Sequence, residues 1–589
     1  MGAMSTWSFS RTAALAGAVV IAVEAALLAT GNSAVLRGVL LDPDCYMHLQ
    51  RALRLLTAGG WHETLDPRIN APDGFAIHWT ALFDMLLVAG AAPLKALGLD
   101  AQSALYLWGS AISPVLLIAA LAVYAWGVRT RVAGPVFLWL TILIFTQPQL
   151  AGVFIAGRPD HHSLVLGLML GQLAWATALF DGRTGPRWAV AAGVMAGLQL
   201  ATSVEALLTI LLLSAAIAAA WLFYGRKHLR SLALYLVAAA LTVVAWLLWE
   251  RGRFLITPAY DRVSIVHVIA LTSGAVAIAA VALAEARGLL TGMGRKLAAL
   301  GLAALFAAGI VAASYPDFFL GPWPHLDPVI VAWHKEIGEL QPLAPLNLKG
   351  LAAFFTQMTA PVLALPLVIR RLVRGPEADK PIMLLSLLGF VLFGGLALAQ
   401  MRWSGEVQAV MLLPWTLTTM AIMQSEVALR LGRSRVPLRA FGLGGALLLQ
   451  MAPALITPNR AGLPTTHPKG ACNWSAAAAA LPQSVPDGDI VIAPLWYGPE
   501  ILWRSNLHII AGPYEMLPAL QDTATFMSGS EAAAHSIVQR RGISHALVCR
   551  TDTEAGFGGE LAKGVHPAWL AAVPLKNGPA EFRLYQVVR

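Results

Sequence analysis

Four short segments of the chain combine carboxylates with imidazole or guanidinium groups. They contain Asp42 and Asp44 (segment 41–48), Arg158, Asp160, His161 and His162 (157–162), Glu339 (333–339) and Arg402 (401–403). Carboxylate oxygens and imidazole nitrogens are ligands of hard or borderline divalent cations. Asp160 and His162 supply two such ligands at close spacing. Asp44 and Glu339 complete the predicted cation site.

Each cluster taken alone has a simpler interpretation. Asp42 and Asp44 are also typical of a turn or a helix cap. His161 and His162 are also typical of polar residues at a membrane interface. A common location on one face of the protein favours a shared site over these separate interpretations.

The elements that must position these groups are apolar helices. The chain has 589 residues, of which 57% are hydrophobic and 12% charged, whereas a soluble domain carries roughly 25% charged residues. Apolar runs approach the roughly 20 residues that cross a bilayer. They predict about thirteen spans, at about 13–30, 103–126, 134–150, 163–180, 188–203, 205–224, 231–249, 264–286, 297–314, 351–371, 382–399, 405–424 and 438–456. A transmembrane domain is therefore expected over residues 1–456.

Basic residues set the predicted orientation. Arg and Lys cluster in short loops on one side of the spans, which the positive-inside rule assigns to the cytoplasm. This clustering accounts for the net charge of +9 and argues against a nucleic-acid partner. The opposite side receives residues 31–102, 315–350 and 457–589, and with them all four clusters. The apolar stretch 81–97 is predicted as an interfacial or re-entrant helix of the first external loop.

The segment 457–589 is far more polar than the rest and predicts a small α/β domain. Strands are expected at 489–494, 508–511, 544–549 and 581–588, with a helix at 531–541. Because the span count is odd, this domain is expected to be extracytoplasmic or periplasmic, on a multi-pass protein of the inner (plasma) membrane. It holds Cys472 and Cys549, which predict either a disulfide or two unpaired buried thiols.

The clusters resemble motifs of the catalytic subunit of oligosaccharyltransferases, which are class C membrane glycosyltransferases, and its archaeal branch in particular. The similar stretches are 44–49 (Asp-Cys-Tyr-Met-His-Leu, for Asp-Pro-Tyr-Tyr-His-Leu), 72–84, 157–162 (for the archaeal Asp-His-His), 337–342 (for Ser-Val-Ser-Glu-His-Gln-Pro) and 401–403 (Met-Arg-Trp, for Met-Arg-Phe). The resemblance covers roughly residues 10–460. The order of the motifs and their common side make the combination more specific than any one of them.

The resemblance implies a class C fold and transfer of a sugar or oligosaccharide from a polyprenyl phosphate or pyrophosphate carrier. The acceptor is a glycan, a lipid or a protein at the external face of the membrane. The implied metal is Mn²⁺ or Mg²⁺, with Asp44, Asp160, His162 and Glu339 as its ligands. The implied phosphate contacts are Arg402, His78 and Arg158. Asp44, Glu339 and Arg402 would be the catalytic residues.

One motif departs from the family pattern. The family's Trp-Trp-Asp-Tyr-Gly binds the hydroxyl of the Asn-x-Ser/Thr acceptor, whereas residues 494–498 here read Pro-Leu-Trp-Tyr-Gly. Trp496 replaces the aspartate of the family motif. The charge-assisted hydrogen bond between that aspartate and the acceptor hydroxyl is therefore lost. Trp496 and Tyr497 remain candidate acceptor contacts, and an acceptor other than asparagine is expected.

Two alternatives remain open. The chain could be a protein N-oligosaccharyltransferase that acts on asparagine despite the change at Trp496. It could also be a lipid or solute transporter or flippase, which predicts mid-span ionisable residues and internal repeats. The sequence shows neither of these features clearly.

Overall fold

The computed structural model describes residues 8–58, 65–251, 256–322, 327–335, 337–344, 348–425, 428–431, 434–437, 444, 472–551 and 555–588. These residues form a large helical domain followed by a smaller mixed α/β domain.

Helices make up most of the first domain. In the described part of the chain they are α1 Phe9–Thr30, α2 Pro43–Ala58, α3 Leu82–Ala96, α4 Ala101–Val128, α5 Pro135–Ile144, α6 Pro148–Gly152, α7 His162–Phe180, α8 Pro186–Thr202, α9 Ala206–Tyr224, α10 Arg226–Arg251, α11 Ile265–Ala286, α12 Met293–Ser314, α13 Pro328–His334, α14 Leu348–Arg374, α15 Lys380–Ala399 and α16 Ser404–Met423. Two short hairpins pair β1 Leu65–Asp66 with β2 Phe75–Ala76, and β3 Ala428–Leu431 with β4 Ser434–Pro437.

Ten helices of the described residues are long and apolar enough to cross a membrane, and each overlaps a predicted span. The chain is a multi-pass membrane protein. The predicted span 188–203 is present as α8, a helix of 17 residues. The predicted span 438–456 lies outside the described residues except for residue 444.

The single span predicted at 134–150 is wrong, because this segment forms two short helices, α5 and α6. Gln147 adopts an extended conformation, with φ −102° and ψ 97°, immediately before Pro148. Proline lacks an amide hydrogen and disfavours helical geometry in the residue before it. The apolar run therefore folds as two helices joined by a break.

The stretch 81–97 forms helix α3, as predicted, over 15 residues. It is shorter than the ten candidate spans, and it packs against α2 and α4. Its first turn is held from the bundle, because Glu250 Oε1 accepts a hydrogen bond from the Ala81 amide at 2.6 Å. Thr80 Oγ1 also donates to the Ala201 carbonyl at 2.7 Å. The first loop is thereby fixed to α8 and α10.

The second domain contains a five-stranded sheet. Its order is β6-β5-β7-β9-β8. Strands β6, β5 and β7 are parallel to one another, and β9 is antiparallel to both of its neighbours, β7 and β8. The strands are β5 Ile490–Ile492, β6 His508–Ile509, β7 His545–Cys549, β8 Leu570–Val573 and β9 Phe582–Val587, and the helices are Trp474–Ala480, Gly498–Arg504, Leu517–Ser528, Glu531–Arg541 and Phe557–Lys563. Four strands and the helix Glu531–Arg541 occupy predicted positions, and β8 was not predicted. Cys472 and Cys549 form a disulfide, with Cα atoms 6.3 Å apart.

The α/β domain is attached to the first loop through backbone and side-chain contacts. The Ile509 amide donates to the Arg68 carbonyl at 2.7 Å, and the Ala71 amide donates to the Ile509 carbonyl at 3.1 Å. Arg541 Nη1 donates to Asn70 Oδ1 at 3.0 Å. The loop therefore extends the sheet beyond β6 and holds the domain against the helix bundle.

Candidate functional site

Helix α2 presents the first of the candidate residues. Asp42 caps this helix, because its Oδ1 accepts a hydrogen bond from the Cys45 amide at 3.0 Å. The cap interpretation therefore holds for Asp42, which is buried. Asp44 lies in the first turn of the helix, where acidic side chains are favoured by the helix dipole. Its side chain is half-buried.

The turn before α7 holds Asp160 between two imidazoles. Asp160 Oδ1 lies 2.9 Å from His162 Nδ1 and 3.1 Å from His161 Nδ1. Although burial disfavours the carboxylate, His162 and His161 hold the pKa of Asp160 well below its usual range. Burial also lowers the pKa of His161 to about 3, so this ring is neutral near pH 7. Asp160 and His161 together offer an ionised carboxylate beside a neutral imidazole.

The turn is fixed by a glycine and an arginine. Gly157 has φ +81°, and a Cβ there would lie 2.3 Å from Val35 Cγ2. Arg158 is buried, with its Nε 3.4 Å from Asp42 Oδ2 and its Nη2 3.3 Å from Asp160 Oδ2. Its Nη1 also donates to the Gly152 carbonyl at 3.0 Å. These contacts let Arg158 position Asp42 and Asp160, and its predicted contact with a phosphate stays a prediction.

Glu339 and Arg402 reach the same region from two short 3₁₀ turns. These are Gly338–Leu340 and Met401–Trp403, joined by a hydrogen bond from the Met401 amide to the Gln341 carbonyl at 2.8 Å. Arg402 Nη2 lies 2.8 Å from Glu205 Oε2. Glu205, at the start of α9, therefore orients the guanidinium of Arg402.

The electrostatic environment of Asp44 shows that these segments converge. Burial raises the pKa of Asp44 well above its ordinary value, and neighbouring carboxylates raise it further while one imidazole lowers it. The groups that act on it are Asp42, Asp160, Glu339 and His162. The predicted metal ligands are thus within electrostatic reach of one another, and the carboxylates outnumber the imidazole.

A second layer of residues lies behind Asp160 and received no role from the sequence. His48 Nε2 lies 3.0 Å from His161 Nδ1, and His48 Nδ1 lies 2.6 Å from Asp84 Oδ1. Trp79 stacks on His48 at 4.2 Å between ring centroids. The signal was present in the sequence, because His48 follows Asp44 by four residues and both lie in the first matched motif.

His48 also belongs to a compact group of possible metal ligands. His48, Asp160 and His161 each contribute one possible ligand atom, and these three atoms lie within 4.8 Å of one another. This is the group of possible metal ligands found in the described part of the chain. It shares only Asp160 with the predicted set of Asp44, Asp160, His162 and Glu339. Both sets meet at Asp160, so this carboxylate is the centre of the candidate site.

Three predicted contacts, His78, Trp496 and Tyr497, lie at or within the α/β domain. His78 Nδ1 is 3.5 Å from Glu515 Oε2 of the α/β domain. Burial lowers the pKa of His78, and Glu515 partly opposes this shift. Tyr497 is buried and stacks on Trp474 at 4.0 Å, so it belongs to the core of the α/β domain. Trp496 is half-buried near Trp333, with ring centroids 6.3 Å apart.

Comparison with known proteins identifies the fold of this chain. No protein-family model matches the chain, and no curated protein matches it in sequence. The apo structure of the Archaeoglobus fulgidus oligosaccharyltransferase matches with a TM-score of 0.71 and 15% identity, over 97% of this chain and 74% of that one. The chain has the class C glycosyltransferase fold.

Two further structures of oligosaccharyltransferase from Archaeoglobus fulgidus match. The structure of the oligosaccharyltransferase AglB in complex with an inhibitory peptide and a dolichol-phosphate has a TM-score of 0.67 and 16% identity, over 91% of this chain and 69% of that one. A complex of the Archaeoglobus fulgidus oligosaccharyltransferase with Zn and sulfate has a TM-score of 0.61 and 15% identity, over 93% and 69%. At such identities the likeness establishes the fold, and the activity has to be argued from the site.

Proposed function

We propose that the chain is a glycosyltransferase that moves a sugar or oligosaccharide from a polyprenyl phosphate or pyrophosphate carrier to an acceptor. The observation that carries this proposal is the convergence of Asp44, Asp160, His162, Glu339 and Arg402 from four separate segments. A class C fold supports it, since the archaeal enzyme of that fold binds a dolichol-phosphate and a peptide in its complexes. The reaction would occur at the extracytoplasmic face, where the α/β domain is expected to lie.

The donor set fits a divalent cation. Three carboxylates and one imidazole form an oxygen-rich set of the kind that Mn²⁺ and Mg²⁺ prefer. The crowding of carboxylates around Asp44 is the charge pattern that a cation relieves. Asp44, Asp160, His162 and Glu339 would hold the ion, which when bound supplies Lewis-acid stabilisation of charge on phosphate.

The protein's own residues divide the remaining tasks. Arg402, oriented by Glu205, binds the carrier phosphate and stabilises the negative charge that develops as the phosphate leaves. The acceptor hydroxyl attacks the anomeric carbon, the bond from that carbon to the phosphate oxygen breaks, and the phosphate departs with the electron pair. Asp44 orients the acceptor and takes its proton as a general base.

An asparagine acceptor is the second candidate, and the contacts near Trp496 weigh against it. Trp496 offers an N–H donor and no carboxylate. The two acidic residues that could replace the missing aspartate are engaged: Glu500 accepts from Tyr46, and Asp489 lies 3.3 Å from His545. We therefore expect inefficient transfer to Asn-x-Ser/Thr peptides.

Purified full-length protein would test the proposal with lipid-linked donor extracted from membranes of the source cells. Mass spectrometry of the products follows transfer to cell-envelope glycan, to lipid and to a peptide carrying Asn-Val-Thr. Asp44→Asn should abolish transfer to every acceptor, whereas Glu560→Gln, a change at an exposed residue, should not. Unchanged transfer by Asp44→Asn would contradict the proposed site, and robust sequon-dependent transfer would contradict the expected acceptor.

A further inference from the structure

An aromatic and acidic cluster lies between three segments of the chain. We call it the Glu515 cluster; it comprises His78, Trp333, His334, Trp496, Tyr514 and Glu515. His78 belongs to the first loop, Trp333 and His334 belong to α13, and the others belong to the α/β domain. Of these residues, only Trp496 enters the proposal above, where it bears on the choice of acceptor.

Glu515 is the polar centre of the cluster. Its Oε2 lies 3.5 Å from His78 Nδ1, and its Oε1 lies 3.6 Å from His334 Nε2. A carboxylate oxygen can accept more than one hydrogen bond, so both oxygens retain acceptor capacity beside these two contacts. The side chain of Glu515 is 21% exposed. Although burial opposes ionisation, His334 and His78 keep the pKa of Glu515 below its ordinary value.

Two indoles form an apolar wall beside this carboxylate. The ring centroids of Trp333 and Trp496 lie 6.3 Å apart, with an angle of 41° between the planes. Trp333 is 8% exposed, and its indole nitrogen is buried without an acceptor among the described residues. Buried donors nearly always have a partner in folded proteins. The indole nitrogens of Trp175, Trp221 and Trp415 are in the same situation, so this N–H supports a ligand site only together with Glu515.

Tyr514 connects the cluster to the reaction site. Its ring packs edge-on against Trp79 at 5.4 Å, and Trp79 stacks on His48. His48 Nε2 in turn lies 3.0 Å from His161 Nδ1, beside Asp160. A ligand held by Glu515 and the indoles would extend along Tyr514 and Trp79 toward the candidate site.

We propose that the Glu515 cluster is the acceptor subsite and that the acceptor is a carbohydrate, an inference that rests on the glycosyltransferase function proposed above. A sugar ring has an apolar face of C–H groups that packs on an indole, and a rim of hydroxyls. The carboxylate of Glu515 accepts hydrogen bonds from hydroxyls, which are charge-assisted and strong. The N–H of Trp333 donates to a sugar oxygen. Few polar groups on an aromatic wall are typical of small-ligand sites.

An extended peptide is a poorer match for the same place. Peptides are commonly bound by adding a strand to an open sheet edge. The edge beside β6 is already covered, because the Ile509 amide and carbonyl bond to Arg68 and Ala71. What the cluster offers instead is side-chain groups arranged around an aromatic wall.

Direct binding tests this inference separately from catalysis. Full-length protein in detergent would be applied to an array of defined oligosaccharides, with an Asn-Val-Thr peptide as the competing probe. Wild type should bind a subset of glycans, and Glu515→Gln and Trp496→Ala should each weaken that binding at least tenfold. Glu560→Gln should bind as wild type does. The thermal unfolding midpoint of each variant verifies that it is folded.

Three outcomes would overturn the inference: no glycan bound above the background, glycan binding unaffected by both cluster variants, or preferential peptide binding that Glu515→Gln removes. Asp44→Asn separates the two proposals, because it should bind glycan while transferring no sugar. If Asp44→Asn retained transfer, the proposed catalytic site would fail while the glycan-binding result stood. If the wild type transferred sugar to no acceptor, the proposed function would fail.

Discussion

Glu500 provides the sharpest test of how the α/β domain positions the site. It is 2% exposed, and its Oε1 accepts hydrogen bonds from the Tyr46 hydroxyl and from Arg504 Nε, each at 2.8 Å. Its Oε2 accepts from Ser475 Oγ at 3.1 Å. Tyr46 lies on α2, two residues after Asp44. The perturbation is Glu500→Ala, which should loosen the domain from the helix that carries Asp44.

The free-energy cost of Glu500→Ala follows from the buried partners, above all Arg504, that the substitution leaves unpaired. Removing one partner of a buried ion pair costs about 3–5 kcal/mol. The side chain of Arg504 is 18% exposed and can recover part of its solvation, so we expect about 3 kcal/mol, the lower end of that range. Glu500→Gln keeps an acceptor oxygen but loses the charge, and should cost about 1–2 kcal/mol.

Hydrogen–deuterium exchange of the full-length protein measures this local opening. For Glu500→Ala, 3 kcal/mol corresponds to a roughly 150-fold loss of amide protection, expected in residues 43–58 and 498–504. Tyr46→Phe should show a smaller loss in the same segments. Glu560→Ala, at an exposed position in the same domain, is the control. Wild-type protection in both Glu500→Ala and Tyr46→Phe would refute this account of docking.

Three other predictions concern the site and the domain. Arg402→Lys should lower turnover about 10- to 100-fold, because lysine cannot contact Glu205 and phosphate with one planar fork; equal turnover and an unchanged KM for donor would contradict this. Chelation should abolish transfer, Mn²⁺ or Mg²⁺ should restore it, and Asp160→Asn should lower the bound metal measured by mass spectrometry; full turnover in chelator would exclude a required cation. Replacing Cys472 and Cys549 by serine should destabilise the α/β domain by roughly 4 kcal/mol, since the disulfide closes a long loop; an unchanged midpoint on thermal unfolding would argue against that contribution.

Apolar length was enough to predict most of the helical domain, because a span must satisfy its backbone internally whatever its neighbours are. The same reasoning failed at 134–150, where hydropathy is insensitive to a single proline. Pro148 ends the first helical run there, and the chain restarts as α6. In the α/β domain, β8 was missed because its four residues, Leu570–Val573, are too few to show a pattern.

The candidate site was predictable only in part. Residue chemistry predicted Asp44, Asp160, His162 and Glu339 as metal ligands, since ionisable groups near a membrane require an explanation. This ligand set stays a prediction, and the compact group in the structure is His48, Asp160 and His161. Residue chemistry could not show which side chains Arg158 contacts. Asp42 is far from Arg158 along the chain, and Asp160 is brought to it only by the conformation of the turn. Nor could it find Glu515, which lies in no recognisable motif and gains its setting from His78 and His334.

The position of Asp44 depends on both domains at once. Helix α2 is capped by Asp42, which is held by Arg158 from the turn before α7. The same helix is fixed from the other side by the contact of Tyr46 with Glu500. Asp44 therefore lies on a short helix between the membrane domain and the α/β domain, without a fixed position in either alone. Acceptor groups held by the α/β domain and a phosphate held by Arg402 would then meet at one carboxylate whose position both domains determine.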